Sequence, residues 1–554
     1  MIHKLRKLFA LLTIGLLAIT AAGAQLPVAE PEQLYNPFNM VELALVDLQG
    51  VVALNDPEIH PHHIRYIALN NIPKALRPKY KKTVDFVLNS LSRNRIVVRT
   101  AWADQGQTLI RANLFDYGID LKDWDFLVEK GSGNVPLPDG YFHDRQFKYV
   151  DTTEEREQPV LGPDGKQIWD AKLNRHKTEK VKVKVKTETS ILSTSAPWIA
   201  IEPNVGNRGN GIATLITACN TKNPLIRADW FIVYAGWAPA YYKLIGLDPD
   251  KGTEADIERL ANADNVKAAR SLIAAVTDTR LVTLHNRVLH RLPTLQGYTG
   301  GYIWRSNDTN RGIDEEDYLL NLHTFDKPKI TAREIIFTTP NGLQAYAVVN
   351  DKGKLLNKAD ADIAVFGDDM PTRLRDKQVY TGLRSCAICH SGILPVDCRV
   401  RRLASGNIGL LVTNQFKDPR YKDLQPSKRA DLSLRIREAF QIDVNRIVQH
   451  DDALYAASVE ATNGLKAKEN AAFFEEVVYT YLDVPITLEV AAREAGVQPR
   501  VLRQALTEGI NMHYSLTGLL QNPPIPVSRL TWERNGYSAL MLHLISYQPR
   551  QPAK

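Results

Sequence analysis

Hydrophobic periods of two and of 3.6 residues occur in separate stretches of this chain, and together they predict an α+β fold. Three observations carry that expectation. Arg333 to Val349 reads as two apolar runs flanking Asn341-Gly342, the signature of a tight hairpin. Lys180 to Lys186 alternates lysine with valine, the pattern of an edge strand protected by charge. Beyond Pro395 apolar stripes at helical spacing cover Arg429–His450, Asn470–Leu482, Thr487–Ala495 and Arg500–Gly509.

In chain order, Val41–Leu48 and Tyr80–Arg93 are helical, the second with Val84, Val87, Leu88 and Leu91 on its buried face. Ile96–Thr100 and Leu109–Leu114 read as strands, Asp116-Tyr117-Gly118 as a turn and Trp124 as a core anchor. Pro163-Asp164-Gly165 turns the chain between Pro159–Leu161 and Gln167–Trp169, and Val181–Thr187 continues the strand character. From Thr194 the texture changes to aromatic-rich segments at Trp230–Ala235 and Ala238–Leu247, helical or extended, and then to a helix over Ile257–Thr277. Asn350 to Gly353 makes a second turn after the hairpin, and Gln521–Pro526 is a rigid break before the tail. The expected regions are 1–24, 25–192, 193–370, 371–520 and 521–554.

The charge balance of 69 basic and 62 acidic residues is interspersed, so the net +7 does not form a nucleic-acid surface. Leu488 to Ala505 resembles a helix-turn-helix, which is expected here to be two short helices packed at a corner. His60, His62 and His63 are separated by Pro61 and read as a solvated loop rather than a metal site. Gly206 to Gly211 lacks the lysine of a phosphate loop, and no G-x-S-x-G nucleophile motif occurs.

Residues 1–24 read as a cleaved export signal, with a basic start, an apolar run over Leu8–Thr20 and Ala22-Gly23-Ala24 as cleavage site. A retained N-terminal anchor is the alternative. No later stretch is apolar enough to cross a bilayer, so the expectation is a soluble exported protein, periplasmic or at the cell surface.

Cys386-Ala387-Ile388-Cys389-His390 is the most specific stretch. With four cysteines in the chain, chance produces such a pattern in on the order of one in a thousand chains of this composition. Zinc would need four ligands, and adjacent Cys389 and His390 reach one tetrahedral ion poorly, with Cys398 as the remaining donor. Thiol exchange would need a strand before the pair and a helix after it, whereas Pro395 follows closely. Covalent haem uses every residue of the pattern: two thiols one helical turn apart meet the two vinyl groups, and the next imidazole meets the iron. One haem c per chain is therefore expected on Cys386 and Cys389, with His390 as an axial ligand.

The sixth iron ligand is open among His450, Met512, His513 and Met370, since no methionine lies between Met370 and Met512. Cys219 and Cys398 remain as a possible disulfide in an oxidising compartment, with two buried thiols as the alternative.

Set late in a long chain behind an export signal, Cys386-x-x-Cys389-His390 resembles the motif of the large exported c-type cytochromes of bacteria. The resemblance implies haem on Cys386 and Cys389, His390 on the iron, and a mainly helical, cytochrome c-like haem region over 371–520. It places Arg65–Leu69, His285–Val288, Tyr302–Trp304 and the Asn341-Gly342 hairpin in a long region ahead of the haem. The missing nearby methionine departs from the small-cytochrome pattern. The implied work is one-electron transfer between donor and acceptor proteins that the sequence does not identify. A peroxidase-like or small-ligand-binding haem enzyme and a haem-stapled interaction protein are the alternatives.

Overall fold

A computed structural model describes residues 37–54, 59–130, 143–170, 175–194, 209–221, 223–263, 273–278, 286–295, 300–308, 332–359, 379–380, 382–390, 425–427, 444–495, 497–509, 514–532 and 540. The expected export signal lies outside these residues, as do Met370, Cys398, Met512 and His513. Both helices and strands are present, as an α+β chain requires.

A first sheet is built around β1 (Ile64–Ala68), all five residues of which are buried. β2 (Ala101–Trp102) pairs with β3 (Leu109–Asn113), which runs antiparallel to β1. The order is completed by β8 (Leu225–Arg227), parallel to β1 on its other side. Of the helices α1 (Pro37–Ala53), α2 (Arg77–Ser90), α3 (Leu121–Lys130), α4 (Gly209–Cys219), α5 (Ala228–Tyr234) and α6 (Ala240–Ile245), α1 packs on β3 and α5 on β1 and β8. In α2 the stripe Val84, Val87 and Leu88 is fully buried, as its 3.6-residue period requires, and Leu91 caps it.

Ile96–Thr100 is not a strand. Its backbone is satisfied by side chains of α2: Val98 N donates to Asn89 Oδ1 (3.0 Å), Asn89 Nδ2 donates to Val98 O (2.6 Å) and Thr100 N donates to Asp85 Oδ1 (2.8 Å). Those partners do the work of a neighbouring strand. The expected Ile257–Thr277 helix is also corrected. Thr253 and Asp256 form a capping box that starts α7 (Glu254–Leu260). Asn262 then turns to φ +55°, Ala263 N donates to Glu258 O (2.8 Å), and the chain returns as a strand at Ile273.

The second sheet is an antiparallel meander in the order β13-β12-β11-β10-β9, formed by β9 (Ile273–Asp278), β10 (Asn286–Thr294), β11 (Gly301–Asp308), β12 (Ala332–Thr338) and β13 (Gln344–Asn350). β12 and β13 are the two arms of the Asn341-Gly342 hairpin, in register from Ala332↔Asn350 to Thr338↔Gln344. A separate ribbon pairs β4 (His143–Pro159) with β7 (Thr178–Thr194) over seventeen residues, and between them lie β5 (Trp169–Asp170) and β6 (Arg175–His176). The lysine-valine stretch is thus one strand of a two-stranded arm, with the 143–159 segment as its partner.

β14 (Lys358–Ala359) and β15 (Val379–Tyr380) lead to α8 (Leu383–His390). The C-terminal helices follow: α9 (Val444–Asn463), α10 (Ala467–Leu482), α11 (Leu488–Ala495) and α12 (Pro499–Glu508). The helix expected to stop at His450 therefore runs on to Asn463, where Arg99 Nε reaches Ala461 O and Thr462 O at 3.2 and 3.1 Å. No described helix is long and apolar enough to cross a membrane.

One buried apolar cluster runs from Met40 to Leu540, so the regions expected at 25–192, 193–370 and 371–520 share a core. Its polar centre is Glu494. Glu494 Oε2 accepts from Arg227 Nη1 (3.0 Å), Arg529 Nη1 (2.8 Å) and Trp532 Nε1 (2.8 Å). Arg227 also makes a two-pronged contact with Asp229, through Nε to Oδ1 (3.0 Å) and Nη2 to Oδ2 (2.5 Å). Asn71 Nδ2 donates to the same Asp229 Oδ2 (3.0 Å).

Glu494 is buried, yet Arg227 and Arg529 overcome that burial and hold its carboxyl down at about 2. Removing one partner of such a group leaves an uncompensated interior charge, so Glu494→Ala should lower unfolding free energy by about 3–5 kcal/mol in urea titration. A carboxyl depressed on folding contributes stability above its unfolded value near 4.5, and that contribution is lost as pH falls from there toward 2. Glu494→Gln should therefore flatten the pH dependence of stability in that acid window; an unchanged slope would contradict the assignment.

Candidate haem-attachment site

Helix α8 carries Cys386, Cys389 and His390 on consecutive turns of one short segment, LRSCAICH. Leu383 and Ala387, one turn apart, are buried and define the face that meets the core. Cys386 is half-buried beside that stripe and bears a free thiol. The side chains of Cys389 and His390 lie outside the described ones.

Two glycines set where α8 begins. Gly382 has φ +135°, and a Cβ there would stand 2.5 Å from Gly236 O and 3.1 Å from Tyr241 Cδ1. A Cβ on Gly236 would in turn meet Arg384 N at 3.0 Å. The two backbones touch directly, joined by Arg384 N donating to Gly236 O (3.1 Å). The Arg384 guanidinium stacks over Trp237, its carbon 3.6 Å from the ring centroid. The loop between α5 and α6 thus grips the first turn of α8 from both backbone and side chain.

The same α6 fixes α8 relative to the second sheet. β13 is an edge strand, and two of its outward N–H groups are capped by phenols rather than by another strand. Tyr346 N donates to Tyr241 Oη (3.0 Å) and Val348 N to Tyr242 Oη (3.1 Å), while Tyr242 Oη donates to Leu356 O (3.1 Å). Tyr346 Oη donates to Gln344 Oε1 (3.0 Å), and Gln344 Nε2 to Tyr302 Oη (2.7 Å). Burial pushes Tyr241 and Tyr346 well above the usual phenol range, so both stay neutral.

Burial also drives the Cys386 thiol up to about 12, with the Glu334 charge adding to the effect. A thiol raised in this way reacts slowly in exchange, which proceeds through the thiolate. The placement of Cys386 on a fixed helical turn fits the thioether chemistry of covalent haem attachment, in which an S–H adds across a vinyl group. Among the described residues no group of three His, Cys, Asp or Glu side chains converges on a metal position.

His450 is on the exposed side of α9, at 63% side-chain exposure, with Nδ1 3.7 Å from Asp451 Oδ1. The buried face of that helix is Asp451, Tyr455 and Val459 instead. Asp451 accepts from both prongs of Arg291 (2.7 Å each) and from Trp304 Nε1 (2.8 Å). Cys219 is a buried free thiol at the end of α4, and burial raises it to about 11. His60, His62 and His63 sit on a short 3-10 turn with rings 4.2–5.9 Å apart, without forming a metal position.

Sequence reasoning proposes Cys386, Cys389 and His390 but does not single out Gly236, Gly382, Arg384 or Tyr241, which hold the first turn of α8. Gly382 and Arg384, four and two residues before the first cysteine, lie close to the motif in the chain, whereas Gly236 and Tyr241 leave no local trace. No family model, curated protein or solved structure matches the chain.

Gly382→Ala forces a backbone clash and an unfavourable φ together, and should cost about 1–3 kcal/mol of stability. In protein lacking haem, iodoacetamide should label Cys386 far more slowly than a free cysteine peptide at pH 8, and Gly382→Ala should speed that labelling. Equal rates in the variant and the parent would show that the glycine contact does not position the thiol.

Proposed function

We propose that the chain carries one covalently bound haem c on Cys386 and Cys389, with His390 as an axial iron ligand, and that it works in one-electron transfer. What carries this reading is the C-x-x-C-H run on a helix whose first turn is held by Gly236 and Trp237. When bound, the haem supplies the one-electron couple. Cys386 and Cys389 each hold one thioether sulfur, and His390 supplies the imidazole.

The remaining residues set the surroundings. Leu383, Ala387, Tyr241 and Tyr346 are all buried and exclude water on the core side of α8. A haem held against such a low-polarity wall would have its potential raised, because the oxidised form carries the extra positive charge. The expected export signal supports the reading, because this attachment chemistry belongs outside the cytoplasm. Donor and acceptor proteins complete the function. A sixth ligand supplied by Met370, Met512, His513 or a repositioned His450 gives a carrier, and an open sixth position gives a peroxidase-like or ligand-binding enzyme.

Absorption spectra separate these outcomes. Protein from a host competent to attach haem should show a Soret band and a sharpened reduced spectrum inert to carbon monoxide and peroxide. Cys386→Ala with Cys389→Ala should lose the pigment on acid–acetone extraction, and His390→Ala should shift the spectrum. A high-spin spectrum that changes with carbon monoxide turns the reading to the enzyme; a colourless chain rejects haem altogether.

A further inference from the structure

The β4–β7 ribbon has seventeen paired residues and a length of about 55 Å, and among the described residues no third strand pairs with either edge. At its far end the two strands part through a three-way backbone junction. Val160 N donates to Lys177 O (2.9 Å), Lys177 N to Ile168 O (2.8 Å) and Ile168 N to Val160 O (2.9 Å). Two short hairpins branch from there. One turns through Gly162–Lys166, closed by Gly162 N donating to Lys166 O (2.8 Å), and the other pairs Trp169 with His176.

This fork is apolar where it is most exposed. Leu161 is 57% exposed, Trp169 54% and Ile168 39%, three large hydrophobic side chains within nine residues. They occupy both faces of the fork. Leu161 lies opposite Gln167, two residues before Trp169, so Leu161 and Trp169 share a face, while Ile168 takes the other. Lys166 and Lys177 are exposed beside the fork, against exposed Asp164 and Glu179, while farther down the ribbon Lys180 and Lys182 lie directly opposite Glu157 and Glu155. Asp164 is already engaged by the turn, accepting from Lys166 N (3.2 Å).

We infer that the fork of this arm is a membrane-docking element that inserts Leu161, Ile168 and Trp169 into an anionic lipid interface, with the lysines on the headgroups. A single flat protein surface covers one face of a thin sheet. A fluid interface surrounds the tip and covers both faces at once. An indole flanked by lysines is the combination that settles at the boundary between headgroups and acyl chains. Lys166 and Lys177, beside the apolar tip, supply attraction to anionic lipid within a Debye length of the surface. This inference does not depend on haem.

Limited trypsin digestion with mass mapping reads the fork directly, whatever the state of the N-terminus. Vesicles of phosphatidylcholine with phosphatidylglycerol should slow cleavage after Lys166, Lys177, Lys180 and Lys182 about tenfold relative to pure phosphatidylcholine, and high salt should remove the protection. Leu161→Ser with Trp169→Ser should abolish it while leaving the circular dichroism melt unchanged, since both side chains are exposed. Lys166→Glu with Lys177→Glu should abolish the protection at the remaining sites as well. Equal cleavage on both vesicle types, or equal protection of the parent and the Leu161→Ser, Trp169→Ser protein, overturns the inference. A self-association in solution that disappears in that double variant also overturns it, and assigns the fork to a second copy of the chain.

Discussion

A single carboxylate oxygen, Glu494 Oε2, receives hydrogen bonds from two arginines and a tryptophan that come from distant parts of the chain. Burying that much charge costs several kcal/mol per ion unless every partner is in place. Asp229, Arg227, Glu494 and Arg529 form a set of two positive and two negative groups, so the node is neutral only when the N-terminal sheet, α11 and the Arg529 segment are assembled together. Asn71 extends it into the loop after β1, and Arg529 extends it to α10 through Tyr481 O (2.8 Å) and the Tyr481 ring (4.1 Å). Hydrophobic burial supplies the larger driving force, and the ionic node selects one arrangement of the packed pieces.

The node reaches the candidate site through α5. Arg227 and Asp229 fix the start of that helix, and its far end runs into Gly236 and Trp237, which hold α8. Aromatic contacts continue the same line, Trp230 stacked on Tyr234 at 5.1 Å and Tyr234 edge-to-face with Trp237 at 5.3 Å. Close packing transmits small displacements, so the glycine-to-glycine contact inherits the rigidity of the buried charges. Cys386 is positioned by a stiff scaffold rather than by its own short helix.

Much of this was legible in sequence where the signal is local. The Val84, Val87, Leu88, Leu91 stripe, the Asn341-Gly342 hairpin and the α10 to α12 helices are written in periodicity and turn chemistry. The C-x-x-C-H run stands out in the sequence because its spacing is itself the signal. What was missed depends on partners far along the chain. Ile96–Thr100 has strand composition, yet Asn89 and Asp85 satisfy its backbone from a helix. Lys180–Lys186 was recognised as a strand, but nothing in it names His143–Pro159 as its mate. The joining of β1 to β8 across more than a hundred and fifty residues, and with it the shared core, leaves no local trace. Glu494 resembled any surface glutamate of a short helix, because its two arginines are 267 and 35 residues away.

The account turns on whether a porphyrin is joined to α8 through sulfur. Tandem mass spectrometry of the tryptic peptide from Ser385 to Arg399, taken from protein matured in a haem-attaching host, reads this without reference to colour or activity. The account predicts the mass of one haem on that peptide, with fragments placing both bonds on Cys386 and Cys389 and leaving Cys398 unmodified by haem. The same peptide recovered only with unmodified cysteines, or with Cys386 and Cys389 joined to each other, would contradict it.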